Sequence, residues 1–362
     1  MVMMATIATK SRIYLDHAAT TPAWPPAIAA MADAAALIGN PASVHGDGRH
    51  ANALLEQARD AVAAWAGVAP ASVVFTSGGT ESIALAMNGC GLPRALAMAT
   101  EHSAVLQARA DVAIIPVDGS GLIDLDALDR LLAAGPAIVA VQAGNNETGV
   151  IQPLGDVAAR VAAAGGKLLA DCVQSAGKLP LPAADFVALS GHKLGAPPGV
   201  GVLIVADPGQ LAAIQRGGGQ ERGLRGGTPN LPGIAAFAAA LARPADWAAV
   251  AARRARLEAA LLAEGAIIHG AAAPRLPHIS NVGLPGVKAG TQVMALDLAG
   301  YSVSAGAACS SGKVATSHVL AAMGLGPAAG EAIRISLGPD TSDADVDAFI
   351  AAWRAMAARL RP

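Results

Sequence analysis

A handful of short segments carry the side chains that can do chemistry. Ser190-Gly191-His192-Lys193 sets an amine beside a histidine and a serine, in a stretch with few other charges. Local desolvation lowers an amine's pKa and makes it a nucleophile able to form a Schiff base; the plainer alternative is a surface lysine leaving a strand. Leu169-Ala170-Asp171-Cys172-Val173-Gln174 ends an apolar run with a carboxylate. Such a group is costly to bury unless it meets a cation or a protonated ring nitrogen, and its bland alternative is a helix cap. Thr76-Ser77-Gly78-Gly79-Thr80-Glu81-Ser82 is a strand-to-helix turn whose free amides and close backbone approach suit a phosphate, although many such turns bind nothing. A second glycine-rich stretch, Gly217 to Thr228, carries Arg222 and Arg225 and either reaches an anion or serves as a flexible connection. His102, in Thr100-Glu101-His102-Ser103, is an acid/base candidate or a structural histidine. Cys309 lies in the small-residue loop Ser304 to Lys313, where partial exposure near a cation favours thiolate and burial favours a packing role.

The elements that must position these groups alternate in a simple way. Arg49 to Trp65 carries Leu54, Ala58, Ala61, Val62 and Trp65 on one helical face. Short apolar runs at Val73–Thr76, Ala95–Ala99, Ile114–Val117, Ile138–Gln142, Lys167–Ala170, Phe186–Ser190 and Val200–Val205 are strand candidates separated by helix-like segments. That alternation predicts a mostly parallel sheet covered on both faces. Beyond Pro244 a long helix is expected from Ala248 to Glu264, then strands at His278–Val282 and Ile333–Ser336. The final helix, Ser342 to Leu360, has Ser342 and Asp345 at capping-box spacing. We expect a large domain over 14–245 and a smaller α+β domain built from 1–13 and 246–362.

Composition excludes several classes. The chain has 362 residues, with 25 Lys+Arg against 27 Asp+Glu, so it lacks the basic excess of a nucleic-acid binder. Hydrophobic residues make up 53%, which raises the question of a membrane span. The longest stretch without Asp, Glu, Lys or Arg, Ala61 to Thr80, contains Gly67, Pro70, Gly78 and Gly79 and is unsuited to span a bilayer. Met1 to Lys10 lacks the pattern of a secretory signal. Cys90, Cys172 and Cys309 are too scattered for a disulfide framework or a cysteine-only zinc site, which points to a reducing cytoplasm and no dedicated metal.

Taken in order, the segments have a further meaning. Tyr14 to Thr21, Gly39 to Ser43, Phe75 to Ser82, Thr100-Glu101-His102, Asn145 to Gly149, Asp171 to Ser175, Ser190 to Lys193, the 217–228 loop, and Cys309 ahead of Ile333-Arg334-Ile335-Ser336 span nearly the whole chain. In this order they resemble the NifS/IscS-like cysteine desulfurases, pyridoxal phosphate enzymes of the class V aminotransferase group. The resemblance implies a fold type I α/β architecture, with a mostly parallel, seven-stranded-type sheet and a smaller α+β C-terminal domain. It implies removal of sulfur from L-cysteine, giving L-alanine and a persulfide on Cys309. Lys193 would hold the cofactor and move the substrate Cα proton. Asp171 would pair with the ring nitrogen, and Gln174 with the ring oxygen. His102 would stack on the ring and serve the substrate thiol. Gly79, Thr80, Ser190 and His192 would bind the phosphate, joined by Thr228 from the second subunit of a homodimer. Asn146 and Arg334 would grip the substrate carboxylate. A sulfur-acceptor or iron–sulfur scaffold protein is the implied partner, and Cys309 could contact a nascent cluster in passing.

Some positions depart from the family pattern. His17 stands where Tyr or Asn is frequent, Gly79 where Ala is usual, and Gly226 where Ser is usual. Leu194 to Gly199 differs from the usual Tyr-Gly-Pro-Lys-Gly run. Cys172, commonly Ala, is expected to be a buried packing residue. Ala-Ala-Cys-Ser-Ser-Gly around Cys309 lacks the Arg-x-Gly-His-His-Cys pattern of the SufS-like branch. The competing expectations are another class V enzyme, such as an aminotransferase or a selenocysteine or cystine lyase, and an inactive sulfur-carrier protein.

Overall fold

The computed structural model describes residues 12–306 and 316–361. Its main sheet has seven strands in the order Val73–Thr76, Gly201–Val205, Phe186–Ser190, Lys167–Asp171, Ile138–Gln142, Ala95–Met98 and Val112–Ile115. All run parallel except Gly201–Val205, which is antiparallel to both its neighbours. The central strands are uninterrupted apolar runs and are buried along their whole length, as a sheet covered on both faces requires. Helices fill both faces, so Val139, Val141 and Leu189 belong to one core cluster while Ile138, Ala140 and Leu169 belong to another.

A second core surrounds a three-stranded antiparallel sheet made of Ile267–His269, Ile279–Gly283 and Ala332–Ser336. Leu15, Trp353 and Phe349 are fully buried in it. The N-terminal strand docks here too, with Asp16 bridged to Ser336.

Most expected elements fall where the pattern places them, with informative shifts. The strand expected at Ile114–Val117 lies at Val112–Ile115. Pro116 has no N–H for the ladder, and Val117 turns back to pair with Ile123. The helix expected from Arg49 starts at Gly46, where the His45 ring caps it by accepting the Gly48 N–H at 3.3 Å. It ends at Gly67, whose φ of 69° is the left-handed stop that glycine permits. The Ser342–Asp345 capping box is present, the Ser342 hydroxyl accepting the Asp345 N–H at 3.1 Å. Among the described residues no helix is long and apolar enough to cross a membrane.

Candidate active site

The parallel strands end along one edge of the main sheet, where α/β folds carry their ligand sites. A cavity of about 550 Å³ opens there, lined by Gly79, Thr80, His102, Asn146, Asp171, Gln174, Ser190, His192, Lys193 and Arg334. Lys193 follows the strand Phe186–Ser190 in the tight turn Gly191–Lys193. Its Nζ donates to the Ala18 carbonyl and, at 2.6 Å, to that of Ala19. Gln174 Nε2 donates to the same Ala18 oxygen at 2.8 Å, so the N-terminal segment ties both side chains in place.

Asp171 is the last residue of its strand and is 7% exposed. One of its oxygens accepts the Val173 N–H at 2.9 Å. Burial pushes its carboxyl up to about 6, against the pull of the Val173 N–H and the Lys193 charge. Glu101 is a second, wholly buried carboxyl at this level. Its Oε1 accepts the N–H of Gln142 at 2.7 Å, and Gln142 is the register partner of Asp171 on the adjoining strand. Burial first, and the charge of Asp171 second, hold Glu101 well above the usual carboxylate range. Both carboxyls thus hold their protons more tightly than usual, and Asp171 is the one that lines the cavity.

Beside them, the helix Gly79–Gly89 points its N-terminus at the cavity. Orphan first-turn amides, with the hydroxyls of Thr80 and Ser190, form the donor set an oxyanion needs. A Cβ at Gly79 would lie 2.7 Å from Val173 Cγ2, so glycine makes room for the bulkier valine. His192 Nδ1 lies 3.2 Å from Thr20 Oγ1, and burial, reinforced by Lys193, pushes the ring down to about 4. His102 caps the turn Ser103–Leu106 by accepting the Ala104 N–H at 3.1 Å. Burial, then Lys193 and His318, lower its pKa, so it is a neutral base near pH 7.

Arg334 enters from the strand Ala332–Ser336 of the smaller sheet and is 3% exposed. Its Nη2 donates to Asp16 at 2.8 Å and its Nη1 to the Asn146 carbonyl at 3.0 Å. Its Nε is buried with no partner among the described residues.

Two expected residues stand apart. Thr228 is exposed and does not line this cavity in its own chain. Cys309 lies outside the described residues. The 217–228 loop, read from sequence as an anion site or a flexible connection, is anchored to the main sheet and its helix through Glu221 and Arg225. Glu221 accepts hydrogen bonds from both terminal nitrogens of Arg59, each at 2.9 Å, and from the Phe75 N–H at 2.8 Å. Arg225 donates to Glu81 at 2.7 Å. Cys172 is fully buried, and its thiol is pushed up to about 12 by burial, consistent with packing.

Sequence reading missed Glu101, Asp16 and His318. Glu101 carried a signal, an acid between two quoted motif residues at the end of an apolar strand. Asp16 and His318 find their partners only through the fold: His318 Nε2 lies 2.9 Å from the Glu101 carbonyl.

The donor set fits a flat, phosphorylated, nitrogen-containing ring. A buried carboxylate with one hydrogen bond suits a ring N–H, a helix N-terminus suits a phosphate, and an amine stands at the same cavity. The chain matches the model of the aminotransferase class-V family over residues 13–349. It is 36% identical over 383 residues to an IscS-like cysteine desulfurase of Mycobacterium tuberculosis, covering 96% of this chain and 97% of that one. A cysteine desulfurase of Cereibacter sphaeroides is 39% identical, with 94% of each chain covered. A solved NifS-like protein from Rickettsia africae superposes with a TM-score of 0.87 at 30% identity, covering 96% of this chain and 99% of that one. The chain belongs to the class V aminotransferases. Within them it is a member of the NifS/IscS-like cysteine desulfurase branch.

Proposed function

We propose that this chain is a pyridoxal phosphate-dependent cysteine desulfurase, taking sulfur from L-cysteine onto Cys309. The observation that carries the reading is the convergence of Lys193, Asp171, Gln174, His102 and Arg334 on one cavity. When bound, the cofactor would supply an electron sink that weakens the Cα–H and Cβ–S bonds of the substrate. Asp171 would hold the ring N–H. Gln174 would donate to the ring oxygen. Gly79, Thr80, Ser190 and His192 would bind the phosphate, with Thr228 reaching it from the partner subunit of a homodimer. Arg334, backed by Asp16, and Asn146 would orient the substrate carboxylate. Lys193 would take the Cα proton, and neutral His102 would take the proton of the substrate thiol. The Cys309 thiolate would attack the substrate sulfur: an S–S bond forms and the Cβ–S bond breaks. The released electron pair is protonated at carbon, giving L-alanine and leaving the persulfide on Cys309, with no outside oxidant. A sulfur-acceptor or iron–sulfur scaffold protein in the cytoplasm would then receive the sulfur.

The test is direct. Purified protein given L-cysteine without reductant should form alanine and about one protein-bound sulfane sulfur per chain. Both should vanish in Cys309→Ala. A yellow protein that makes no alanine would overturn the reaction while leaving the fold and cofactor in place.

A further inference from the structure

We propose that the chain binds a small oxyanion, of the sulfate or short carboxylate kind, in a second cavity on the other side of Lys193. This cavity, about 230 Å³, lies between the main sheet and the smaller one, and Lys193 lines both cavities. Its polar lining is the Thr21 hydroxyl and a set of nitrogen donors, with no acid among the described residues. His278 is 2% exposed and His17 is 8% exposed, and the Nδ1 atom of each is buried without a partner among the described residues. Arg243 keeps its Nη1 in the same condition, while its Nη2 pairs with Asp340, whose side chain is 80% exposed. Lys178 Nζ sits 5.3 Å from the centre of the Trp247 ring and donates to the Ala176 carbonyl at 3.5 Å, a long contact.

These groups come from different parts of the fold. His17 belongs to the N-terminal segment and Lys178 to the loop after the strand Lys167–Asp171. Arg243 lies on the connector between the two sheets, and His278 precedes the strand Ile279–Gly283. Burial pushes His17 down to about 4 and His278 well below its usual value, so each neutral ring can offer one N–H without adding charge. Burial also pushes the Lys178 ammonium down to about 7, and an anion beside it would restore the charge. Three cations, Lys178, Lys193 and Arg243, and two imidazole donors, offset by the solvent-facing Asp340 and by Asp16 near His17, form an anion site rather than a cation site. The volume suffices for an oxyanion and a few waters, at about 30 Å³ per water. An ion held there would bridge the two sheets and stabilise the folded chain.

The experiment is a sulfate titration of the protein loaded with pyridoxal phosphate, at ionic strength held constant with chloride, reading the thermal midpoint. The expected result is a saturable rise of about 2–4 °C. Lys178→Met should abolish it or shift its half-saturation at least about tenfold, whereas Arg334→Gln should leave it in place. A non-saturating rise equal in parent and Lys178→Met would be a general salt effect and would overturn the proposal. So would a saturable rise lost only in Arg334→Gln, which would assign the anion to the other cavity. Should Lys178→Met not fold, selenate in crystals of the parent protein decides the matter. An anomalous peak within hydrogen-bond reach of Lys178 Nζ or His278 Nδ1 supports the site, and peaks found only elsewhere overturn it.

Discussion

Two buried carboxylates of this molecule, Glu221 and Asp171, are both 7% exposed and lead opposite lives. Glu221 is saturated: a guanidinium grips both its oxygens and a backbone N–H adds a third bond. It holds two consecutive residues, Glu221 and Arg222, in the left-handed region at φ 48° and 56°, a strained conformation that a firm anchor must enforce. Asp171 accepts one backbone hydrogen bond, no ion pair reaches it among the described residues, and its proton affinity is raised. A buried charge with both oxygens bonded and a guanidinium facing it is architecture. One left short of partners, at a cavity, awaits something the chain does not itself supply.

The largest effect that would test this contrast is on the functional side. Lys193→Ala should lower alanine formation from L-cysteine by about 10⁴-fold, near the upper range for loss of a positioned proton carrier, while circular dichroism stays that of the parent. A variant with substantial turnover would end the assignment. Next, Glu221→Ala should destabilise the fold by about 3 kcal/mol in denaturant unfolding, since it leaves the buried Arg59 charge paired only with the half-exposed Glu56. Arg59→Met combined with Glu221→Leu should recover part of that loss, leaving the Phe75 N–H as the residual defect.

Asp171→Asn should do the reverse in cofactor-free protein. A carboxyl whose folded pKa is raised keeps its proton after the unfolded chain has lost it. The parent therefore loses stability as pH rises from about 4 to about 6. Above pH 6 the Asn variant should be the more stable by about 3 kcal/mol, and the gap should close below pH 4. A gap of the same size at both ends would contradict the buried, ligand-awaiting carboxylate. The smallest effect belongs to the half-buried pair Arg225–Glu81: Glu81→Gln should cost about 1 kcal/mol, falling between the two extremes.

Sequence made most of the main sheet and much of this cavity legible because the chemistry sits where apolar strands stop. Asp171 and Ser190 end strands, and Lys193 and His102 lie just beyond them, so a local pattern found each one. What stayed hidden is set by distant pairing. The Asp16 carboxylate that steadies Arg334 lies 318 residues away along the chain. The charges of the 217–228 loop looked outward in sequence, yet Glu221 and Arg225 turn inward to partners 162 and 144 residues distant. Composition could not reveal the cavity behind Lys193 either, because its lining is gathered from both sheets and the connector between them.

The one antiparallel strand of the main sheet, Gly201–Val205, has a consequence for the order in which the protein takes shape. Among the described residues, Val73–Thr76 reaches the main sheet only through it, with Val73 opposite Ile204 and Thr76 opposite Gly201. The helix that starts at Gly79 hangs from that edge strand. That helix packs on Phe186–Ser190 as well as on Gly201–Val205, so its place is set by segments that the ribosome delivers far later in the chain. Such long-range closure is slow to form and its partners stay exposed meanwhile. A nascent chain halted before Gly201 would have made Asp171 and Lys193 but would lack the frame that aims the helix at them. The turn at Gly79 and its setting against Ser190 should be among the last features of the main sheet to acquire their shape.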